Sequence, residues 1–395
     1  MRRPPRPLPG ILAVPLCAVA LGCPRSAPEP ITETSSRPAA TTSTTSTAAV
    51  PPSATASTDV SPRSTMCTEA VPACRGAVRV GESGSKLAYF ASRPLGADDR
   101  APARAVVVIH GAKHDPRGYF QTMTRLATAH GGLEQTVVIA PHFQTRPDTS
   151  CFDEVDKPAP GELFWSCDAW KMGGASDSDP NVSSFQALDA LVSSIRASFP
   201  SIKRITIAGH SAGAQLAQRY AALSQLMEDP DKPLRFLVSS PSSYLYLDGR
   251  RLKRGARCAS PGDCALDKRA FEVPAALAKS CPEYDDYKYG LGKREGYAAA
   301  MSALEVQKQY AWRDVVLLLG ERDTGKGPGA GYGELDKSCA AEAEGPFRLE
   351  RGLVYQRYAS LLFGAKQRAE VIPGCGHDEA CMFASEKAAG LLFGP

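Results

Sequence analysis

From about residue 76 onward, short and almost uniformly apolar runs set the rhythm of the chain. They are Ala105–Ile109, Thr136–Ala140, Ile205–Ala208, Phe236–Val238 and Val315–Leu319. Each stops at a turn signal: His110-Gly111, Pro141, Gly209, Ser239-Ser240-Pro241 and Gly320 respectively. A strand with one face in water alternates apolar and polar side chains. A run that is apolar throughout suits a strand covered on both faces, as in the middle of a parallel sheet. Between the runs lie amphipathic stretches. Phe185, Leu188, Leu191, Val192, Ile195 and Phe199 recur at helical spacing behind Ser183 or Ser184 as candidate cap, and Leu216, Tyr220 and Leu223 do the same after residue 211. This alternation predicts an α/β fold with a doubly wound, mostly parallel sheet. Residues 242–310 interrupt it. Rich in Tyr, Lys, Arg and Asp, they read as a cap insertion over the carboxyl edge of the sheet, where open α/β sheets bind ligands.

The amino end has a different character. Arg2, Arg3 and Arg6 precede the apolar stretch Leu8–Gly22, the layout of a secretory signal and too short for a comfortable membrane span. It ends Ala20-Leu21-Gly22-Cys23, which resembles a bacterial lipobox with Ala in place of the usual Leu. Residues 1–22 are therefore expected to be a lipoprotein-type signal, with Cys23 as lipid anchor; the alternative is an ordinary cleaved signal and a secreted protein. Residues 23–65 are mostly Pro, Ser, Thr and Ala, with no aromatic residue. Such a segment cannot bury enough apolar surface to offset its ordering entropy, and it reads as a disordered tether. The globular domain is expected over residues 66–395.

The charge balance excludes one class of function. With 46 Lys and Arg against 42 Asp and Glu, the net charge is +4, too even for a protein that binds nucleic acid by neutralising phosphates. The cysteines point to the compartment. Cys17 lies in the signal and Cys23 at its end, leaving an even number of the 12 for an exported chain. Spacing suggests the pairs Cys67/Cys74, Cys258/Cys264 and Cys375/Cys381; Cys151 and Cys167 bracket one loop, and Cys281 and Cys339 remain for each other. No Cys-x-x-Cys occurs, so no metal site is expected. Asn181-Val182-Ser183 fits a glycosylation sequon but reads as helix capping.

The most informative chemistry is Gly209-His210-Ser211-Ala212-Gly213, between a predicted strand and a predicted helix. A sharp turn there projects the serine hydroxyl above the sheet edge, and the glycines leave room for the tight packing. A serine hydroxyl needs a base. His377 is the one histidine after Ser211, on a glycine-bearing loop behind a short strand. Asp323 follows the Leu317–Gly320 strand end and is the expected acid, with Glu321 as its rival and Asp378 as a loop residue. For the oxyanion, the backbone N–H of Ala212 is one expected donor. Ala112 is the other, with Gly111 its rival, while His110 is expected to fix that loop.

Taken in order, the His110-Gly111 loop, the Ser211 elbow, the Gly320-Glu321-Arg322-Asp323 strand end and the Gly376-His377 loop resemble the α/β-hydrolase superfamily over about residues 86–395. Trp170-Lys171-Met172-Gly173-Gly174, Ser183-Ser184-Phe185 and Tyr287-Lys288-Tyr289-Gly290-Leu291 are similar to a group of exported bacterial hydrolases. The resemblance implies ester hydrolysis with no cofactor or metal. The leading expectation is a serine hydrolase that cleaves a small-molecule or polymeric carboxylic ester through an acyl-enzyme, and the charge balance leaves no nucleic-acid partner. Contact with a membrane would run only through the lipid anchor. Two other readings stay open: an amidase or peptidase using the same residues, and a non-catalytic surface binding module that retains the fold.

Overall fold

The computed structural model describes residues 66–394, apart from 97, 147–148, 152–156 and 259. The signal, the tether and Cys23 lie outside the described residues. Eight strands form the main sheet: β1 (Arg75–Val80), β2 (Ser85–Ala91), β3 (Arg104–Ile109), β4 (Thr136–Pro141), β5 (Arg204–His210), β6 (Leu234–Ser239), β7 (Asp314–Gly320) and β8 (Arg368–Ile372). Their order across the sheet is β1-β2-β4-β3-β5-β6-β7-β8. Pairing is parallel from β4 to β8 and antiparallel for β1 with β2 and β2 with β4.

Uniformly apolar strands arise because both faces are covered. In β3, Ala105, Val107 and Ile109 point to one core while Val106 and Val108 point to the other. The first core is filled by α2 (Ser184–Ser198), α3 (Ala212–Leu223), α4 (Ala303–Trp312) and α5 (Arg348–Phe363); the second by α1 (Pro116–His130), α6 (Glu379–Ala384) and α7 (Glu386–Phe393). The alternating register of a strand supplies two cores from one sequence run. Helix α2 begins at the expected place. Ser183 Oγ accepts from the Gln186 N–H at 3.1 Å and Gln186 Oε1 accepts from the Ser183 N–H at 2.8 Å, a reciprocal cap.

Residues 242–310 divide between the core and its cover. Tyr244, Leu245, Tyr246 and Leu247 are fully buried in the first core. Helix α4 packs on α3 and α5, serving as the crossover between the parallel strands β6 and β7. Between them run a short hairpin, Arg251–Leu252 with Phe271–Glu272, and a loop whose Tyr287 hydroxyl donates to the Met172 carbonyl.

The ten expected cysteines form the five expected disulfides, Cys67–Cys74, Cys151–Cys167, Cys258–Cys264, Cys281–Cys339 and Cys375–Cys381. Bonds of this number suit an extracytoplasmic protein. Among the described residues, no helix is long and apolar enough to cross a membrane. Cys281, Glu283 and Cys339 have ligand spacing for a metal, but the two sulfurs are bonded to each other.

Candidate active site

Strand β5 ends at His210 and α3 begins at Ala212, so Ser211 alone makes the turn. Its φ of 57° and ψ of −116° lie in a region that L-residues rarely occupy, a strain that packing must hold in place. That packing is visible. A Cβ on Gly209 would overlap the Gly213 backbone, and one on Gly213 would overlap the carbonyls of Ile109 and His110. Only glycine at both positions lets the helix sit this close to β3 and β5. The Ser211 N–H donates to the Ser239 carbonyl at 2.9 Å, tying the turn to β6. The Ala212 N–H lies in the first turn of α3, where backbone donors have no partner within the helix.

The structure brings the other two expected residues to this serine. His377 Nε2 is 3.0 Å from Ser211 Oγ, and His377 Nδ1 is 2.8 Å from Asp323 Oδ2. Both carboxylate and imidazole are buried, with 1% and 5% of their side chains exposed. A neutral imidazole between these partners donates from Nδ1 and accepts at Nε2. His377 rides on the loop that the Cys375–Cys381 bridge closes, and its N–H donates to the Gly329 carbonyl at 2.7 Å. Asp323 is fixed through its backbone, the N–H donating to Gly320 and the carbonyl accepting from the Leu349 N–H in the first turn of α5. The rival Glu321 is exposed and accepts from the Gly374 N–H. Asp378 caps α6 through the Cys381 N–H.

The loop after β3 lies beside the serine. A Cβ built on Gly111 would be 3.9 Å from Ser211 Cβ and 3.0 Å from the Tyr119 hydroxyl. Ala112 is exposed at the next position. His110 fixes this loop: Nε2 accepts from the Phe143 N–H at 3.1 Å, so Nδ1 is the donor to the Gly111 carbonyl at 2.9 Å. Burial holds His110 well below its ordinary pKa, with His114 and His142 adding to the effect. Elbow residue His210 is likewise buried, with its Nδ1 3.0 Å from Ser239 Oγ and its ring 4.5 Å from that of His377. Burial first, then His377 and Arg348, keep it well below its ordinary value, so a neutral ring rests against the His377 imidazole.

Three residues at the site carried no signal that sequence reasoning used. Tyr119 lies against Gly111; burial raises its pKa well above the ordinary phenol. Gly331 packs its backbone on the His377 ring. Arg348 is buried beside Asp323. The alternating glycines from Gly325 to Gly333 were the visible trace of the second.

The chain matches the model of the Alpha/beta hydrolase family over residues 106–390. Among solved structures it is similar to poly(aspartic acid) hydrolase-1 from Sphingomonas sp. KT-1, with a TM-score of 0.51 and 20% identity, covering 81% of this chain and 98% of that one. It is also similar to a poly(3-hydroxybutyrate) depolymerase from Bordetella parapertussis, with a TM-score of 0.51 and 17% identity, covering 81% and 91% of the two chains. At these identities the likeness is one of fold. No curated protein sequence gives a significant match. The family model spans most of the chain and the sheet has the matching architecture: the protein belongs to the alpha/beta hydrolase family.

Proposed function

We propose that the protein is an exported serine hydrolase that cleaves carboxylic esters through an acyl-enzyme. The observation that carries this reading is the unbroken chain Ser211 Oγ–His377 Nε2 at 3.0 Å and His377 Nδ1–Asp323 Oδ2 at 2.8 Å, on a serine in a strained strand-to-helix turn. His377 takes the hydroxyl proton as Ser211 Oγ bonds to the ester carbonyl carbon. The oxyanion is received by the Ala212 N–H and by an N–H of the Gly111-Ala112 loop, where positioned donors act without reorganising. The proton on His377 then passes to the leaving alcohol as the carbon–oxygen bond breaks. Water, deprotonated by His377, attacks the acyl-enzyme; the acid leaves and Ser211 regains its proton. Asp323 holds the tautomer and faces the imidazolium.

The disulfides and the signal-like residues 1–22 support export, and Cys23 is the proposed lipid anchor. The two fold neighbours are named for poly(aspartic acid) and for poly(3-hydroxybutyrate), an amide-linked and an ester-linked chain. The same triad serves both linkages, so the choice is made by rate. Wild-type protein and S211A are compared on matched aryl esters and aryl amides. Ester turnover is expected in the wild type, with a loss of at least about 10³-fold in S211A. Faster turnover of the amide moves the assignment to an amidase; S211A at the wild-type rate removes it.

A further inference from the structure

Helix α5 opens with two buried cations, Arg348 and Arg351, each with 1% or less of its surface exposed. This placement is unfavourable on general grounds. The amino end of a helix carries partial positive charge, and a buried guanidinium must be compensated. Arg351 finds carbonyls, donating to Gly345 at 2.7 Å and also to Ser242. The partners of Arg348 converge on the candidate active site. Nη1 faces Asp323 Oδ1 at 3.4 Å and donates to the carbonyls of Ala330 at 3.3 Å and Gly331 at 3.0 Å, while Nη2 donates to Ser242 Oγ at 3.3 Å.

The three Nη1 contacts fall on groups that hold His377 or on the segment beside it. Asp323 uses its other oxygen, Oδ2, on His377 Nδ1. Gly331, at φ +54°, has its backbone on the imidazole: a Cβ there would lie 2.6 Å from His377 Cδ2. Gly329, two residues earlier, accepts the His377 N–H. The segment that carries these glycines offers few side chains to anchor it, so its position over the ring depends on its backbone partners. One rigid fork therefore meets both the acid and the loop that covers the base. A planar guanidinium can do this, because its donors are fixed relative to one another.

We infer that Arg348 is a positioning residue for the hydrolysis: it fixes the rotation of the Asp323 carboxylate and seats the 329–331 backbone on His377, so that Nε2 stays aligned with Ser211. This rests on the serine reading above. Misalignment by an ångström is enough to cost about two orders of magnitude in rate without changing substrate affinity. The geometry therefore predicts a loss in kcat with little change in KM.

The test compares wild type, R348K and R348Q by three readouts: the rate at which a fluorophosphonate labels Ser211, kcat and KM for a 4-nitrophenyl ester, and the melting temperature. Removing one member of a buried ion pair is destabilising, so the assays are run well below each variant's melting point. R348Q is expected to label and turn over about 100-fold more slowly, with KM within about two-fold of wild type. R348K, which keeps the charge but not the fork, is expected to regain about ten-fold of that loss. Where R348Q does not fold, R348K alone decides, with an expected loss of about ten-fold. A folded variant that labels at the wild-type rate, or whose loss is all in KM, overturns the inference. If wild-type Ser211 takes no label, the serine reading falls and this one with it; normal wild-type labelling with unchanged Arg348 variants overturns this one alone.

Discussion

The His377 imidazole is held on every side. Asp323 binds Nδ1, Ser211 meets Nε2, the Gly331 backbone covers one part of the ring, and neutral His210 packs 4.5 Å away. Two substitutions separate these roles. D323N should turn the ring toward the wrong tautomer while leaving the fold intact, lowering kcat by about 10⁴-fold in a steady-state assay. G331A should put a methyl carbon 2.6 Å from His377 Cδ2, at a φ of +54° that alanine resists. The expected loss is about 100-fold in kcat/KM, read against an unchanged far-ultraviolet dichroism spectrum. Wild-type kcat in either variant contradicts the geometry. In the sequence Ser211 stands out by its flanking glycines, Asp323 by a strand end and His377 by chain order. Arg348 and Gly331 do not stand out. Their roles come from contacts with residues 25 and 46 positions away, and no periodicity encodes such a contact.

Among the elements, the disulfides differ in what they hold. Cys375 and Cys381 are six residues apart and close the loop that carries His377; Cys281 and Cys339 are 58 apart and tie the 242–310 region to the segment before α5. Loop-closure entropy rises with the span, giving about 2 kcal/mol for the first and about 4 kcal/mol for the second. C375S/C381S should therefore lose more activity than stability, and C281S/C339S more stability than activity, by urea unfolding and ester turnover on the same samples. The reverse pattern contradicts the roles assigned. The central strands β3 to β7 and helices α2 and α3 were readable, since burial on both faces or one face leaves a regular pattern. The antiparallel pair β1 and β2 escaped notice. Arg75–Val80 is an edge strand with mixed exposure, and it looks like loop. Helix α5 was hidden for another reason: its buried face includes Arg348 and Arg351, which a hydrophobic pattern counts as surface.

For the molecule as a whole, buried titratable groups set the pH range of the fold. Burial holds His110 and His210 well below their ordinary value and takes His142 down to about 3. Unfolded, these rings protonate near pH 6.5. Their contribution is present above that pH and is lost as acid converts the unfolded state first, at about 1.4 kcal/mol per pH unit for each ring. Glu344 opposes them. Buried among Arg351, Arg251 and Arg219, its carboxyl is pushed up to about 7 by burial, so its contribution is complete below about 4.5 and fades as pH rises through 7. Burial raises Asp189, Asp285 and Glu350 in the same sense and lowers His114 with the other rings. The rings titrate in the unfolded state between pH 7 and pH 5, where urea midpoints should fall. E344Q should gain on wild type as pH rises from 5 to 8; a constant gap contradicts the assignment.

Intact mass and peptide mapping after exposure to a fluorophosphonate test Ser211 as the nucleophile. One adduct is expected, on Ser211, absent in S211A and formed far more slowly in H377Q. A wild-type protein that stays unmodified while hydrolysing esters, or an adduct on another residue with S211A still active, would contradict that role.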